Sequence, residues 1–154
     1  MQNLDFKAQV RLQVYRQFIE RGACPQKTDI ARSLGCPVQE VSDAFAELAK
    51  AHMLVLQPET GEVLMANPLS SVPTPFAVVT EHPAGVRSWY ANCIWDGLGV
   101  IAMLHTNGHV LTSCGCCGEK MTVQVKNKKV VAQAEGIVHF ALPAHQWWDD
   151  IVFN

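Results

Sequence analysis

Helix-spaced apolar residues in the first fifty positions give way to short strand-like runs, and this order limits the chain to a few architectures. Phe6, Val10, Val14, Phe18 and Ile19 recur at helical spacing and predict a helix over residues 5–21, ended by Gly22. "KTDIARSLG" predicts a short second helix, with Thr28 as its cap and Gly35 as its stop. "PVQEVSDAFAELAKAHM" predicts a third, with Pro37 near its start and Val38, Val41, Phe45 and Leu48 on one face. "LVLQPETGEVLMAN" then reads as a hairpin around a glycine-containing turn. Three helices followed by a hairpin is the order of a winged-helix lobe. "NPLSSVPTPF" holds three prolines and two serines and reads as a linker or crossing strand, which places a boundary between residues 1–67 and 68–154.

Beyond that boundary "FAVVT" predicts a strand and "AGVRSWYANCIWDGLGVIAMLH" a long, mostly buried helix, with Gly97 and Gly99 allowing close backbone approach. "TNGHVLTSC" begins a further strand. "EKMTVQVKNKKVVAQAEGIVHFAL" gives two or three more, with "KNKK" as a turn, and "PAHQWWDDIVFN" reads as the start of a last helix after Pro143. The expected fold class is α+β: a winged-helix-like helical lobe followed by a mixed β-sheet core with a buried helix.

Charge and hydropathy exclude several functions. The chain has 12 basic and 14 acidic residues, a formal charge of −2 and no basic half, so bulk electrostatics gives no footing for nucleic acid. The third helix would be the reading helix of a DNA-binding lobe, yet it offers Gln39, Glu40, Ser42, Asp43 and Glu47 with only Lys50 at its end. Acids facing phosphates repel them. Runs such as "GLGVIAML" are too short to cross a bilayer, and the N-terminus lacks a signal pattern. The expectation is a soluble, cytoplasmic protein without a membrane partner.

Six cysteines need an explanation in a reducing compartment, where they do not act as staples. Cys24 and Cys36 each precede a proline at a turn and read as small buried residues. Cys114, Cys116 and Cys117 cluster in "SCGCCG", a donor set suited to a soft metal. Zinc would need a fourth ligand, such as His109 or Cys93. Read as Cys-x-Cys-Cys, the spacing is not that of a zinc knuckle, and no second paired motif follows. A glycine-rich turn with small residues is the competing reading. Cys93 and Asp96 stand three apart in an apolar stretch, which on a helix places thiol and carboxyl on one face. A buried carboxyl is costly unless paired or functional, and burial raises its pKa toward that of a proton donor near neutrality. His139 alternates with apolar neighbours and reads as a satisfied strand histidine. Trp147 and Trp148 read as core cover or as walls of an apolar pocket, and Asp149 and Asp150 as first-turn acids of the last helix. No serine–histidine–acid set or phosphate-type glycine loop is present; "DGLG" has the wrong spacing.

"SWYANCIWDGLGVIAML" resembles the active-site helix of organomercurial (alkylmercury) lyases, where a Cys-x-x-Asp pair sits in an aromatic, apolar stretch. "LTSCGCCGEKMTVQV" and "GIVHFALPAHQWWDDIVF" are similar to that family's later segments, and the resemblance covers the chain from residue 5 onward. It implies a winged-helix-like domain before a catalytic core and protonolysis of a carbon–mercury bond. Two thiolates would hold the mercury of an organomercury cation while an acid protonates the carbon. On this resemblance Cys93 is the first thiol and Asp96 the proton donor. No resident cofactor is required, mercury being the substrate metal; structural zinc is the weaker alternative. Organomercury compounds, other thiophilic metals and small thiols are the implied partners. The family's second cysteine would follow the "WWDDI-x-F" segment, whereas this chain reads "IVFN", so the core reads as C-terminally short. The expectation is a lyase-like protein impaired by that absence, unless Cys114, Cys116 or Cys117 supplies the thiol. The alternatives are a protein that holds Hg(II) or another soft metal without cleavage, and a structural module whose helical lobe contacts a partner.

Overall fold

The structure, a computed structural model, describes residues 4–82, 85–132 and 136–152. Helix α1 (Phe6–Arg21) starts where the Asp5 carboxylate accepts the Ala8 N–H at 2.7 Å, and ends at Gly22. Helix α2 (Lys27–Leu34) is capped at Gln26 rather than at Thr28: the Asp29 carboxylate reaches back to accept the Gln26 N–H at 3.3 Å, and Gly35 closes the helix. Helix α3 (Val38–Lys50) follows Pro37, whose extended backbone suits the cap position. Val10, Val14, Phe18, Ile30, Val41, Phe45 and Leu48 are all buried between these helices, as their helical spacing requires.

The strands are β1 (Val55–Leu56), β2 (Val63–Ala66), β3 (Leu69–Ser70), β4 (Ala77–His82), β5 (Gly85–Ala91), β6 (Gly108–Ser113), β7 (Lys120–Lys126) and β8 (Lys129–Ala132). They form one sheet in the order β1-β2-β3-β5-β4-β6-β7-β8. Every pairing is antiparallel, which corrects the expected mixed sheet. Most connections are short turns, and parallel strands would need long crossovers that these do not provide. The sheet runs unbroken across residues 67 and 68, since β2 pairs with β3 and β3 with β5. Between β7 and β8 the chain turns at Asn127 and Lys128, both with positive φ, in the "KNKK" stretch.

The long helix expected over residues 84–105 is half strand. β5 takes its first part, and helix α4 (Ile94–Met103) only the rest. In β5, Trp89 and Ala91 are buried while Val86 and Tyr90 are exposed, a period of two that the run of large side chains concealed. α4 packs against β4, β5 and β6, with Val100 and Ile101 fully buried. A Cβ on Gly97 would stand 2.9 Å from Val110 Cγ2, so glycine permits this close approach of helix to sheet.

The helices are tied to the sheet through their own backbone. Trp89 Nε1 donates to the Phe18 carbonyl at 3.2 Å, and Arg87 donates to the Glu20 carbonyl at 2.6 Å. The Phe18 carbonyl also accepts the Gly22 N–H at 3.0 Å, while Arg87 serves a last-turn carbonyl beyond the reach of the helical ladder. Tyr15 donates to the Asn67 carbonyl at 2.7 Å. Residues 136–142 form no strand, contrary to expectation; they lie largely exposed without a ladder, and the part of that expectation covering Gln133–Glu135 lies outside the described residues. A 3-10 helix (Ala144–Asp149) follows Pro143. Asp149 ends that helix and Asp150 follows it, so they are not first-turn acids. No helix among the described residues is long and apolar enough to cross a membrane.

Candidate active site

β5 delivers the chain to Asn92, and α4 begins immediately afterwards. Cys93 is therefore not within a helix but is the N-cap of α4, in extended conformation, with Asp96 in the first turn. The two side chains meet through capping geometry rather than along a helix face. Cys93 Sγ accepts the Asp96 N–H at 3.4 Å, and the thiol hydrogen-bonds the Asp96 carboxyl. This is an N-cap hydrogen bond, with sulfur replacing the usual hydroxyl. Asn92 Nδ2 donates to Asp96 Oδ2 at 3.2 Å and to Asn67 Oδ1 at 2.8 Å. Asn67 and Asn92 thus brace the carboxyl from a second strand connection.

Both reactive groups are half-buried rather than fully shielded. Burial pushes the Cys93 thiol up; the backbone N–H of Asp96 opposes this, and the Asp96 charge adds to it. Burial also raises the Asp96 carboxyl, against the hydrogen bonds from Asn92 and Cys93 that favour its ionised form. The result is a thiol and an acid that both hold their protons to higher pH than they would in water.

They face a pocket of about 480 Å³ whose walls are mostly apolar and aromatic: Met65, Phe76, Trp95, Phe140 and Trp147. Phe140 meets Trp95 edge-on at 6.3 Å and Trp147 tilted at 5.2 Å, so three aromatic rings form one wall. Trp147 is held by its Nε1–H to the Leu142 carbonyl at 2.9 Å. Trp148 stacks on His52, ring centroids 4.0 Å apart, and so anchors the segment to the turn after α3. His139 also lines the pocket, but on an irregular, exposed segment rather than a strand. A larger and more open groove of about 670 Å³ runs along α1 and α3. It has no thiol on its walls, whereas the smaller pocket holds Cys93.

The structure does not bring Cys114, Cys116 and Cys117 into this pocket. They occupy the turn between β6 and β7, with Cys114 half-buried and the other two exposed. Among the described residues no three of His, Cys, Asp or Glu are grouped to hold a metal ion. Cys24 and Cys36 pack against the core; burial pushes the Cys24 thiol up to about 12, with the Glu62 charge adding to the effect. Residues that the sequence reading missed are Asn67, Asn92, Phe140 and His52. Asn92 carried a signal, as an amide beside Cys93 in an apolar run. The others reach the site only through long-range folding.

A half-buried thiol and acid thus share a helix N-terminus beneath an aromatic wall, on an α+β scaffold. Residues 69–153, more than half of the chain, match the family model for alkylmercury lyase, and the protein belongs to that family. The solved mercury-bound form of MerB2 superposes with a TM-score of 0.63 at 21% identity, over 84% of this chain and 60% of that one. The likeness establishes a shared fold, with this chain spanning 60% of the MerB2 chain's length. No curated protein matches the sequence.

Proposed function

We propose that the protein cleaves carbon–mercury bonds by protonolysis, with Cys93 as mercury ligand and Asp96 as proton donor. The observation that carries this reading is the shared N-terminal turn of α4, in which thiol and carboxyl hydrogen-bond each other at the floor of an aromatic pocket. Mercury bound to a small thiol exchanges onto Cys93, and the Cys93 proton leaves on the displaced thiol. The substrate is then held as R–Hg–S(Cys93), its hydrocarbon against Phe140 and Trp147. Asp96, which burial makes hold its proton to higher pH than in water, delivers that proton to the carbon bonded to mercury. The carbon–mercury bond breaks, its electron pair forms the new C–H bond, and R–H leaves. Hg(II) remains on Cys93 beside the Asp96 carboxylate. A second thiol from solution then ligates Hg(II), and its proton returns to Asp96.

One observation favours a second reading, retention of mercury with little cleavage. Cys93 is the only thiol lining the pocket among the described residues. A single sulfur activates the carbon–mercury bond less than two, and its partner must come from solution. The missing preorganised interaction corresponds to on the order of 3 kcal/mol, or about a hundredfold in rate.

The deciding experiment is benzene release from phenylmercury in excess small thiol, with retained mercury measured separately. Asp96→Ala is expected to keep mercury bound and lose about 100-fold or more in cleavage, the contribution of a general acid. Cys93→Ser is expected to lose pocket binding and cleavage together. Cleavage by Cys93→Ser at the wild-type rate would refute the proposal, leaving only a shared fold. Slow wild-type cleavage with full retention would select the second reading.

A further inference from the structure

The β6–β7 turn holds a set of thiols that the mechanism does not use. Reading the cluster as Cys-x-Cys-Cys overlooks that Cys114 and Cys117 are themselves a Cys-x-x-Cys pair. The turn between them is closed twice by backbone: Gly118 N–H donates to the Cys114 carbonyl at 2.8 Å, and Cys114 N–H donates to the Glu119 carbonyl at 2.8 Å. Gly118 takes a left-handed conformation, φ 75°, which lets the chain leave the turn directly into β7. The closed turn sets Cys114 and Cys117 three residues apart across its neck, the separation at which side chains of one turn are neighbours. Cys117 is exposed and Cys114 half-exposed, so both sulfurs are open to exchange with a solution complex.

Two adjacent sulfurs without a third or fourth donor do not suit zinc, which takes four ligands in a tetrahedron. They do suit a soft d10 cation that accepts two thiolates in line. We infer that Cys114 and Cys117 form a chelating two-thiol site for a two-coordinate soft cation such as Hg(II), separate from the Cys93 pocket. Loading is an exchange: a bis-thiol complex of Hg(II) gives up both of its small thiols, which leave carrying the two protons of Cys114 and Cys117, and the metal ends as S–Hg–S across the turn. No oxidant or reductant is needed. Cys116, between them, is not one of the two ligands.

The inference does not depend on the cleavage reading, and the experiment keeps the two apart. Hg(II) is titrated into fully reduced Cys93→Ser protein in a large excess of glutathione, and the metal retained after desalting is counted. Monothiol competition strips single cysteines, whereas a chelating pair gains from its high effective concentration. Retention of one equivalent is expected, with apparent affinity falling about 100-fold or more in Cys93→Ser/Cys117→Ser and Cys93→Ser/Cys114→Ser. Cys93→Ser/Cys116→Ser should retain the metal. Cys117 is exposed, so its replacement leaves the core untouched, and circular dichroism on each variant confirms the fold. Undiminished retention without Cys117, or equal loss without Cys116, would overturn the assignment. Phenylmercury cleavage by Cys117→Ser, with Cys93 intact, reports on the pocket independently of either result.

Discussion

Gly97→Ala tests whether the close approach of α4 to the sheet sets the position of the reactive turn. A methyl at residue 97 would stand 2.9 Å from Val110 Cγ2 and 3.0 Å from Cγ1. Rotating Val110 exchanges one methyl for the other and relieves nothing. Val110 is fully buried, and its strand cannot recede because it pairs with Val78 on one side and Val123 on the other. The helix must therefore lift, and Cys93 and Asp96 lift with it. Overpacking of this kind costs about 1–3 kcal/mol, and alanine recovers about 1 kcal/mol through helix propensity. The expected net loss is about 1 kcal/mol, read as a lower urea midpoint at unchanged slope. Val110→Ala alone should cost about 2 kcal/mol by leaving a cavity. In the double variant the new methyl occupies that cavity, so the two costs should fail to add by at least about 1 kcal/mol. Activity lost in Gly97→Ala should return in the double variant. Additive energies, or a Gly97→Ala protein more stable than wild type, would refute the steric argument.

Two further predictions concern Asp96. Asn92→Ala removes a hydrogen bond that favours the ionised carboxylate, leaving burial less opposed, so Asp96 should hold its proton to higher pH. The alkaline limb of the phenylmercury pH–rate profile should move up, and a limb that stays or moves down would contradict the bracing role. Asp96→Asn bears on stability. Burial raises the carboxyl above its unfolded value, so the folded protein keeps a proton that the unfolded chain has lost. The stability cost of the aspartate therefore begins as pH rises through about 3.9 and levels off above the folded pKa. Asp96→Asn does not titrate, and its stability relative to wild type should rise across that window. A difference independent of pH, measured by urea unfolding, would show the carboxyl to be unshifted.

The three helices were legible because their signal is local. α1 and α3 repeat their buried residues every three or four positions, and α1 and α2 each stop at a glycine. β5 was not legible, because Trp89, Tyr90 and the apolar run after Cys93 merge into one stretch of large side chains. Its period of two shows only once Tyr90 is known to be exposed. The antiparallel order was equally hidden, since nothing local tells β3 to pair with β5. Cys93 and Asp96 were legible as neighbours through their spacing, although that spacing works here as cap and first turn. Asn67 lies 25 positions before Asn92, and Phe140 lies 44 after Asp96, so no sequence window holds the site together. The aromatic wall is assembled by residues 136–152, whose apolar content suggested a strand but whose side chains pack on one another over the pocket.

The cap position explains why one short turn suits both halves of the proposed reaction. At a helix N-terminus the free N–H groups favour a thiolate. Here the N–H groups of Asp96 and Trp95 reach the Cys93 sulfur, but burial outweighs them and the Asp96 charge adds to burial. The thiol therefore rests protonated and is a modest nucleophile toward ordinary electrophiles. Mercury changes that balance, because a soft cation replaces the proton on sulfur and leaves no buried negative charge to solvate. Once the sulfur is metallated it no longer donates to Asp96, and one of the interactions favouring the carboxylate disappears. Asp96 is then held more firmly in its protonated form while the carbon–mercury bond lies beside it. On this argument substrate binding itself arms the acid, and Asp96 should titrate higher in the organomercury-loaded protein than in the free one. Infrared difference spectra of the carboxyl, compared between wild type and Asp96→Asn with phenylmercury bound at Cys93 and recorded before turnover, measure that shift directly. A carboxyl that ionises at lower pH with the metal bound would reverse the order of events proposed here.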